Sequence, residues 1–277
     1  MSIELTTKFQ PYVDEQFTAE SKRSLLTNKD FNWAGAHTVK VYKVGTSEMN
    51  DYDREGTSEN WSRYGAVKGL DATTEEMTLK KDRSFTFAID KLDQDETQNQ
   101  LAAASALARQ NREVVIPEVD AYTYGVMAAN AGTKPAAKEL TAENIYDEII
   151  AGTLALDEAL VPENGRVLVI TPAIMRLLKK NAEVAVETNI GNELRQQGAV
   201  GIIDGMTVQS IPANRLPEGF GFMIAHPVAT VAPVKLEDYT VHKNPPGISG
   251  SLVEGRICYD AFVLENKAKA IYYQAIN

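Results

Sequence analysis

Two stretches with strand-like alternation, residues 38–44 (TVKVYKV) and 77–89 (MTLKKDRSFTFAI), are separated by residues 45–76, GTSEMNDYDREGTSENWSRYGAVKGLDATTEE. The connection is far longer than the turns that usually join neighbouring strands, and connections of this length are uncommon in a compact domain unless they are functional or disordered. It carries eight acids, Glu48, Asp51, Asp53, Glu55, Glu59, Asp71, Glu75 and Glu76, against three bases, Arg54, Arg63 and Lys68. Ordering it costs roughly 1–2 kcal/mol of backbone entropy per residue. Burying Trp61 and Tyr64 returns only about 4–6 kcal/mol each. On those terms the connection does not hold itself in place. Either it is a mobile surface loop, or a neighbouring chain supplies the missing contacts.

The rest of the chain has enough apolar residues, 44% of 277, to bury a sizeable core in one large domain or two interleaved ones. The net charge of −10 argues against direct nucleic-acid binding, which needs a basic footprint. Lone Cys258 gives neither an intrachain disulfide nor a zinc cluster and fits a reducing compartment. The opening MSIELTTKFQPYVDEQ has no charged then apolar leader pattern, and no stretch of about eighteen apolar residues occurs, so no membrane association is expected.

Residues 1–36 are polar with scattered aromatics, including Phe9, Tyr12, Phe17, Phe31 and Trp33, and read as an arm with a short helix near 12–26. Residues 95–131 carry the longest helical pattern, with Leu101, Ala104, Ala108, Val115, Val119, Tyr122 and Val126 on one face. Pro117 is expected to kink or interrupt it, and Gly132-Thr133-Lys134-Pro135 to stop it. The spacing then predicts a helix over 142–160, capped by Thr141, with Ile145, Ile149, Leu156 and Leu160 inward. A strand at Arg166–Ile170 runs into a helix over 172–183 with Ile174, Leu177 and Leu178 inward, Thr171 as its N-cap and Pro172 in its first turn. Short strands follow: MTVQSIP, GFMIAH, ATVAPVKL, DYTVHK, GSLVEGRICYDAFVLE and AKAIYYQAI.

Little here carries chemistry. There is no phosphate-binding Walker loop and no dinucleotide-binding glycine motif. GISGS at 247–251 approaches a nucleophile elbow around Ser249, but Ser251 stands where the second glycine belongs. His37, His226 and His242 lack metal-ligand spacing. Asp147, Glu148, Asp157 and Glu158 read as a solvated helix face, Cys258 as a small core residue and Lys68 as an exposed lysine. No catalytic, cofactor-binding or metal-binding residue is assigned, and no cofactor is expected. The Thr171-Pro172 turn is built for geometry alone.

The order of these pieces resembles the major capsid proteins of tailed bacteriophages, the HK97-fold family. The hairpin 38–89 is similar to the family's extended loop, and QLAAASALARQNREVVIPEVDAYTYGVMAANAG to its spine helix. NIYDEIIAGTLALDEALVPENGRVLVITPAIMRLL and GMTVQSIPANRLPEGFGFMIAHPVAT are similar to its axial domain, and GSLVEGRICYDAFVLENKAKAIYYQ to its closing strands. The resemblance implies an α+β fold. Its parts would be an arm at 1–36, a loop hairpin with flanking peripheral strands at 37–92 and a spine helix at 93–137. An axial domain with a central mixed sheet at 138–232, peripheral strands at 233–260 and closing strands at 261–277 would complete it. It implies self-assembly into pentamers and hexamers of an icosahedral shell around double-stranded DNA, with no sequence-specific binding and no membrane. Assembly in the host bacterial cytoplasm, a place in the virion and a portal protein as partner follow from the same likeness. The short stretch before the first strand suggests a separate scaffolding protein, or none. Residues expected at contacts between copies are Tyr52, Arg54, Trp61, Arg63, Tyr64 and, in the arm, Phe17. An encapsulin-like nanocompartment and a soluble α/β enzyme are the alternatives.

Overall fold

The computed structural model describes residues 21–31, 33, 38–56, 61–92, 103–181 and 199–277. They belong to two compact units, Gly35–Leu79, and Met1–Ala34 together with Lys80–Asn277.

In the smaller unit, β1 (Thr38–Val44) pairs antiparallel with β2 (Ala72–Thr78), from Thr38 opposite Thr78 to Val44 opposite Ala72. The two terminal threonine hydroxyls lie 2.9 Å apart. Lys40 pairs with Glu76 directly across the ladder, and Lys43 Nζ lies 3.3 Å from Glu75 Oε2. Cross-strand pairs of this kind contribute roughly 0.2–1 kcal/mol each and fix register. The second strand therefore starts at residue 72, inside the expected loop. Its residues ATTEEMT are mostly exposed, so selection for an apolar face left no alternation to read.

The stretch expected as one strand over 77–89 is two. β2 ends at Thr78, and β3 (Lys81–Asp90) belongs to another sheet. Met77, Leu79, Phe85, Phe87 and Ile89 share one parity, so period-2 alternation passes through the break unnoticed.

The larger unit holds two main sheets. In the first, β3, β10 (Gly250–Tyr259) and β9 (Val234–Lys243) lie antiparallel in the order β3-β10-β9. Phe85, Tyr239, Val241, Val253 and Ile257 pack with Leu107, Val115, Ile116 and Val119 of the long helix. Gly255 makes this possible: a Cβ there would sit 2.3 Å from Phe85 Cζ. Cys258 lies half-buried in β10, not in the core, because its neighbour Ile257 takes the inward position.

The long helix comprises α1 (Ala103–Gln110), a π-helical turn (Asn111–Val115) and α2 (Ile116–Ala129). Residues 95–102 of the expected helix lie outside the described residues. Pro117 does not interrupt it. The wide turn, in which Ile116 N–H donates to Asn111 O, takes up the extra space that a proline ring needs against the preceding turn. The added residue also rotates the inward face. Leu107, Tyr124 and Met127 are buried, whereas the expected Ala104, Ala108, Tyr122 and Val126 are half-buried. Gly132 has no left-handed backbone; it is required because a Cβ would lie 2.5 Å from the Lys269 amide nitrogen.

The second sheet has the order β12-β7-β4-β6-β5, from β4 (Val167–Ile170), β5 (Ala199–Ile203), β6 (Met206–Ser210), β7 (Phe220–Ala225) and β12 (Ile271–Ala275). Only β4 and β6 run parallel, so the sheet is mixed. Both faces are covered, and VLVI of β4 is accordingly buried throughout. Leu168 and Ile170 meet Ile145, Ile149 and Leu156 of α3 (Ile145–Glu158), while Val167 and Val169 join Tyr124 and Met127 of α2. The positive φ angles of Asp204 and Gly205 make the tight β5–β6 hairpin, an Asp-Gly signal that the sequence reading missed.

Helix α3 starts three residues later and ends two earlier than expected, and its N-cap is Asn144 rather than Thr141, which lies in the turn before it. Thr141 Oγ1 accepts from Asn144 N–H at 3.4 Å, and Asn144 Oδ1 accepts from Thr141 N–H at 2.8 Å. Leu160, expected inward, is exposed with φ 57°, because the helix has already closed at Glu158. The strand expected from Arg166 starts at Val167, and α4 (Pro172–Leu178) stops short of residue 183. Thr171 caps α4 as expected, accepting from Ile174 N–H at 3.3 Å. β8 (Thr230–Val231) and β11 (Phe262–Val263) form a small third sheet.

Candidate assembly surface

His226, His242, Glu148 and Asp157 of the larger unit have structural partners. His226 Nδ1 accepts from Val228 N–H at 3.2 Å, which leaves Nε2 to donate to Asn164 O at 3.1 Å. His242 Nε2 lies 3.2 Å from Glu254 Oε2. The helix-borne acids do not form a pair: Glu148 meets Lys138, and Asp157 meets the buried Arg166. Gly250 and Ser251 belong to β10, so Ser249 stands on no strand-to-helix elbow. His37 lies outside the described residues.

Asp120 on α2, which the sequence reading did not single out, is a buried carboxyl held by several partners. It accepts from Ser21 Oγ at 2.8 Å and from Arg215 Nη1 at 3.1 Å, with Arg23 and Lys22 nearby. Burial pushes its carboxyl above the usual range, and the hydroxyl and cations offset this in part. The same burial pushes the neighbouring Tyr124 phenol well up. Lys22 reaches Ser210 O at 3.1 Å, Gln209 Nε2 donates to Lys22 O at 2.5 Å, and Asn28 N–H donates to Thr230 O at 2.7 Å. With Leu26 in the core, this is a clasp that fixes residues 21–28 to the body. Nearby, burial and the Asp260 carboxylate raise the Tyr122 phenol to about 12.

The residues expected at contacts between copies cluster in the smaller unit. Asp53 N–H donates to Arg63 O at 3.0 Å, and Asn50 Nδ2 donates to Tyr64 O at 3.4 Å, drawing residues 50–56 beside 61–65. Asp53 Oδ1 accepts from Glu55 and Gly56 N–H, the latter at 2.7 Å, which tightens the turn. The Arg63 guanidinium lies over Gly56, and the Tyr52 and Tyr64 rings meet edge to face at 5.0 Å. Tyr52, Arg63 and Tyr64 are thus brought together; Arg54 and Trp61 stand exposed beside them. Trp61 is 88% exposed and Tyr64 78%. Phe17 lies outside the described residues. The reading by charge passed over Tyr42, Val44, Met49, Val67 and Leu70, all exposed. They are spaced singly among polar residues and match no periodic template, so the only available signal was their number.

No protein-family model and no curated protein matches the sequence. Solved structures do match the backbone. A structure from Mycobacterium phage Che8 aligns over 91% of this chain and 90% of its own, with a TM-score of 0.72 and 16% identity. The capsid structure of the cyanophage P-SCSP1u aligns over 91% and 86%, with a TM-score of 0.66 and 14% identity. The chain has the HK97-like fold of phage capsids. A virus-like particle from Pyrococcus furiosus aligns over 96% and 97%, with a TM-score of 0.58 and 12% identity. At such identities the HK97-like fold is shared as a backbone path. Individual contact residues do not transfer.

Proposed function

We propose that this chain is the major capsid protein of a tailed bacteriophage or prophage. Its copies form the pentamers and hexamers of an icosahedral shell that encloses double-stranded DNA. The observation that carries this reading is an HK97-like fold running through nine-tenths of both this chain and a phage structure. The exposed aromatic tip of the smaller unit supports it, as a surface that gains its burial from a neighbouring copy. The role is structural, without catalysis or cofactor, and the acidic balance suits DNA held by confinement rather than by a basic groove. Residues 1–36 serve as an arm, 37–92 as the extended loop with flanking strands, 93–137 as the spine, 138–232 as the axial domain, 233–260 as peripheral strands and 261–277 as closing strands. A separate scaffolding protein and a portal protein are the expected partners, with assembly in the bacterial cytoplasm and residence in the virion.

Negative-stain microscopy of the expressed chain tests this. Closed shells are expected from the wild type. A variant with residues 48–69 replaced by a short Gly-Ser linker, which spares the β1–β2 ladder, is expected to stay soluble and form none. A wild type that remains a small oligomer overturns the proposal. The Pyrococcus furiosus neighbour favours a second reading, an encapsulin-like nanocompartment shell. Mass spectrometry of particles purified from the native source separates the two: a co-purified enzyme supports the compartment, whereas DNA and portal protein support the phage head.

A further inference from the structure

Among the described residues, three non-glycine residues have left-handed backbone, Asp204, Asn244 and Leu160. Asp and Asn tolerate that region; leucine does not. Leu160 occupies the position after the C-cap of α3 that glycine usually takes: its N–H donates to Asp157 O at 2.9 Å, and Val161 N–H donates to Leu156 O at 3.0 Å. Its side chain is 90% exposed, so nothing among the described residues offsets the strain. Ile150 and Leu154, one helical turn apart on α3, are exposed as well.

The charges around this face have a complement on the same chain. From Glu139 to Glu163 there are seven acids and no base, and Glu158 and Glu163, flanking Leu160, are exposed and in no ion pair among the described residues. From Arg166 to Asn181 there are four bases and no acid. Arg166 is buried on Asp157, while Arg176, Lys179 and Lys180 of α4 and its end are exposed and likewise in no ion pair among the described residues. Asn181 Nδ2 donates to Ala142 O at 2.8 Å, which holds the basic end beside the start of α3. The acidic-apolar end is about 20 Å away, one helix length. Two complementary patches that far apart on one body do not neutralise each other.

We propose that the Leu154–Glu163 end of α3 in one copy docks head to tail against the Arg176–Lys180 end of α4 in a second copy, with Leu160 as the apolar key. Repeated with a fixed rotation, such a contact closes a ring. This deepens the shell reading and rests on it for the choice of a ring over a two-fold pair.

The test uses the full chain, with sedimentation velocity for rings and light scattering for shells. Leu160→Gly is expected to raise the thermal midpoint of the unassembled subunit by about 2 °C or more, because glycine relieves the left-handed strain. It is also expected to raise the concentration needed for assembly about tenfold or more, the worth of one buried leucine. These opposite signs separate docking from a merely structural role. E158K/E163K and K179E/K180E are each expected to block rings, and the four changes together to restore them. A Leu160→Gly chain that assembles at wild-type concentration, or folded charge variants without mutual rescue, overturns the docking. A wild type that forms rings but no shells keeps the docking and retires the shell; a wild type that stays monomeric overturns both.

Discussion

Trp61→Ala is the sharpest perturbation of the aromatic tip. Trp61 is almost wholly exposed in the single chain, so its loss has little to remove from subunit stability. In a shell, covering an indole of roughly 200 Å² is worth about 5 kcal/mol before costs. Side-chain ordering and imperfect desolvation reduce this, and truncating a central aromatic typically costs 2 kcal/mol or more. That corresponds to about thirtyfold in the strength of each contact. The chain has two tryptophans, which makes the assay direct. Trp33 is 7% exposed and stacks on Phe262 at 5.7 Å, so its emission is already that of a buried ring. Trp61 supplies the solvent-exposed component, and that component is expected to shift to the blue as light scattering rises. In Trp61→Ala the shift disappears, the subunit melts within about 1 °C of the wild type, and assembly requires roughly thirtyfold more protein. Unchanged emission on assembly of the wild type, or assembly of the variant within threefold of the wild-type concentration, refutes the assignment of Trp61 to a contact between copies.

Other perturbations probe the body. Asp120→Ala removes the buried carboxylate that Arg215 donates to and that offsets Arg23, and urea titration is expected to register a loss of about 3–5 kcal/mol. The raised Asp120 pKa also has a sign. The stability it contributes is fully present below the ordinary carboxylate range and is lost as pH rises through the folded value, so the wild-type minus Asp120→Asn difference in unfolding free energy falls with pH there. Gly132→Ala drives a Cβ into the Lys269 and Ala268 backbone, and a melt is expected to show a loss of about 1–3 kcal/mol or more. Thr171→Ala removes the cap of α4 at about 1 kcal/mol, visible as a lower denaturation midpoint with an unchanged slope.

The features legible in the sequence are those decided within a few residues. Thr171-Pro172 and the alternation of TVKVYKV set cap and strand through steric limits on φ and ψ and through hydrogen bonds to neighbours in the chain. The insertion of a long acidic connection with aromatics between two strands was also readable, because entropy scales with length whatever the fold. Sheet membership was not readable. Residues 77–89 keep one alternation across a change of partner, since parity is local and pairing is not. Asp120 carries no local signal at all: its partners Ser21 and Arg215 lie 99 and 95 residues away, and only the folded chain places them around it. The exposure of Trp61 and Leu160 was decided the same way, because whether an apolar side chain is covered depends on every element that passes near it. Sequence determines what each short segment prefers; the tertiary structure decides which preferences find a partner inside the chain and which are left facing outward.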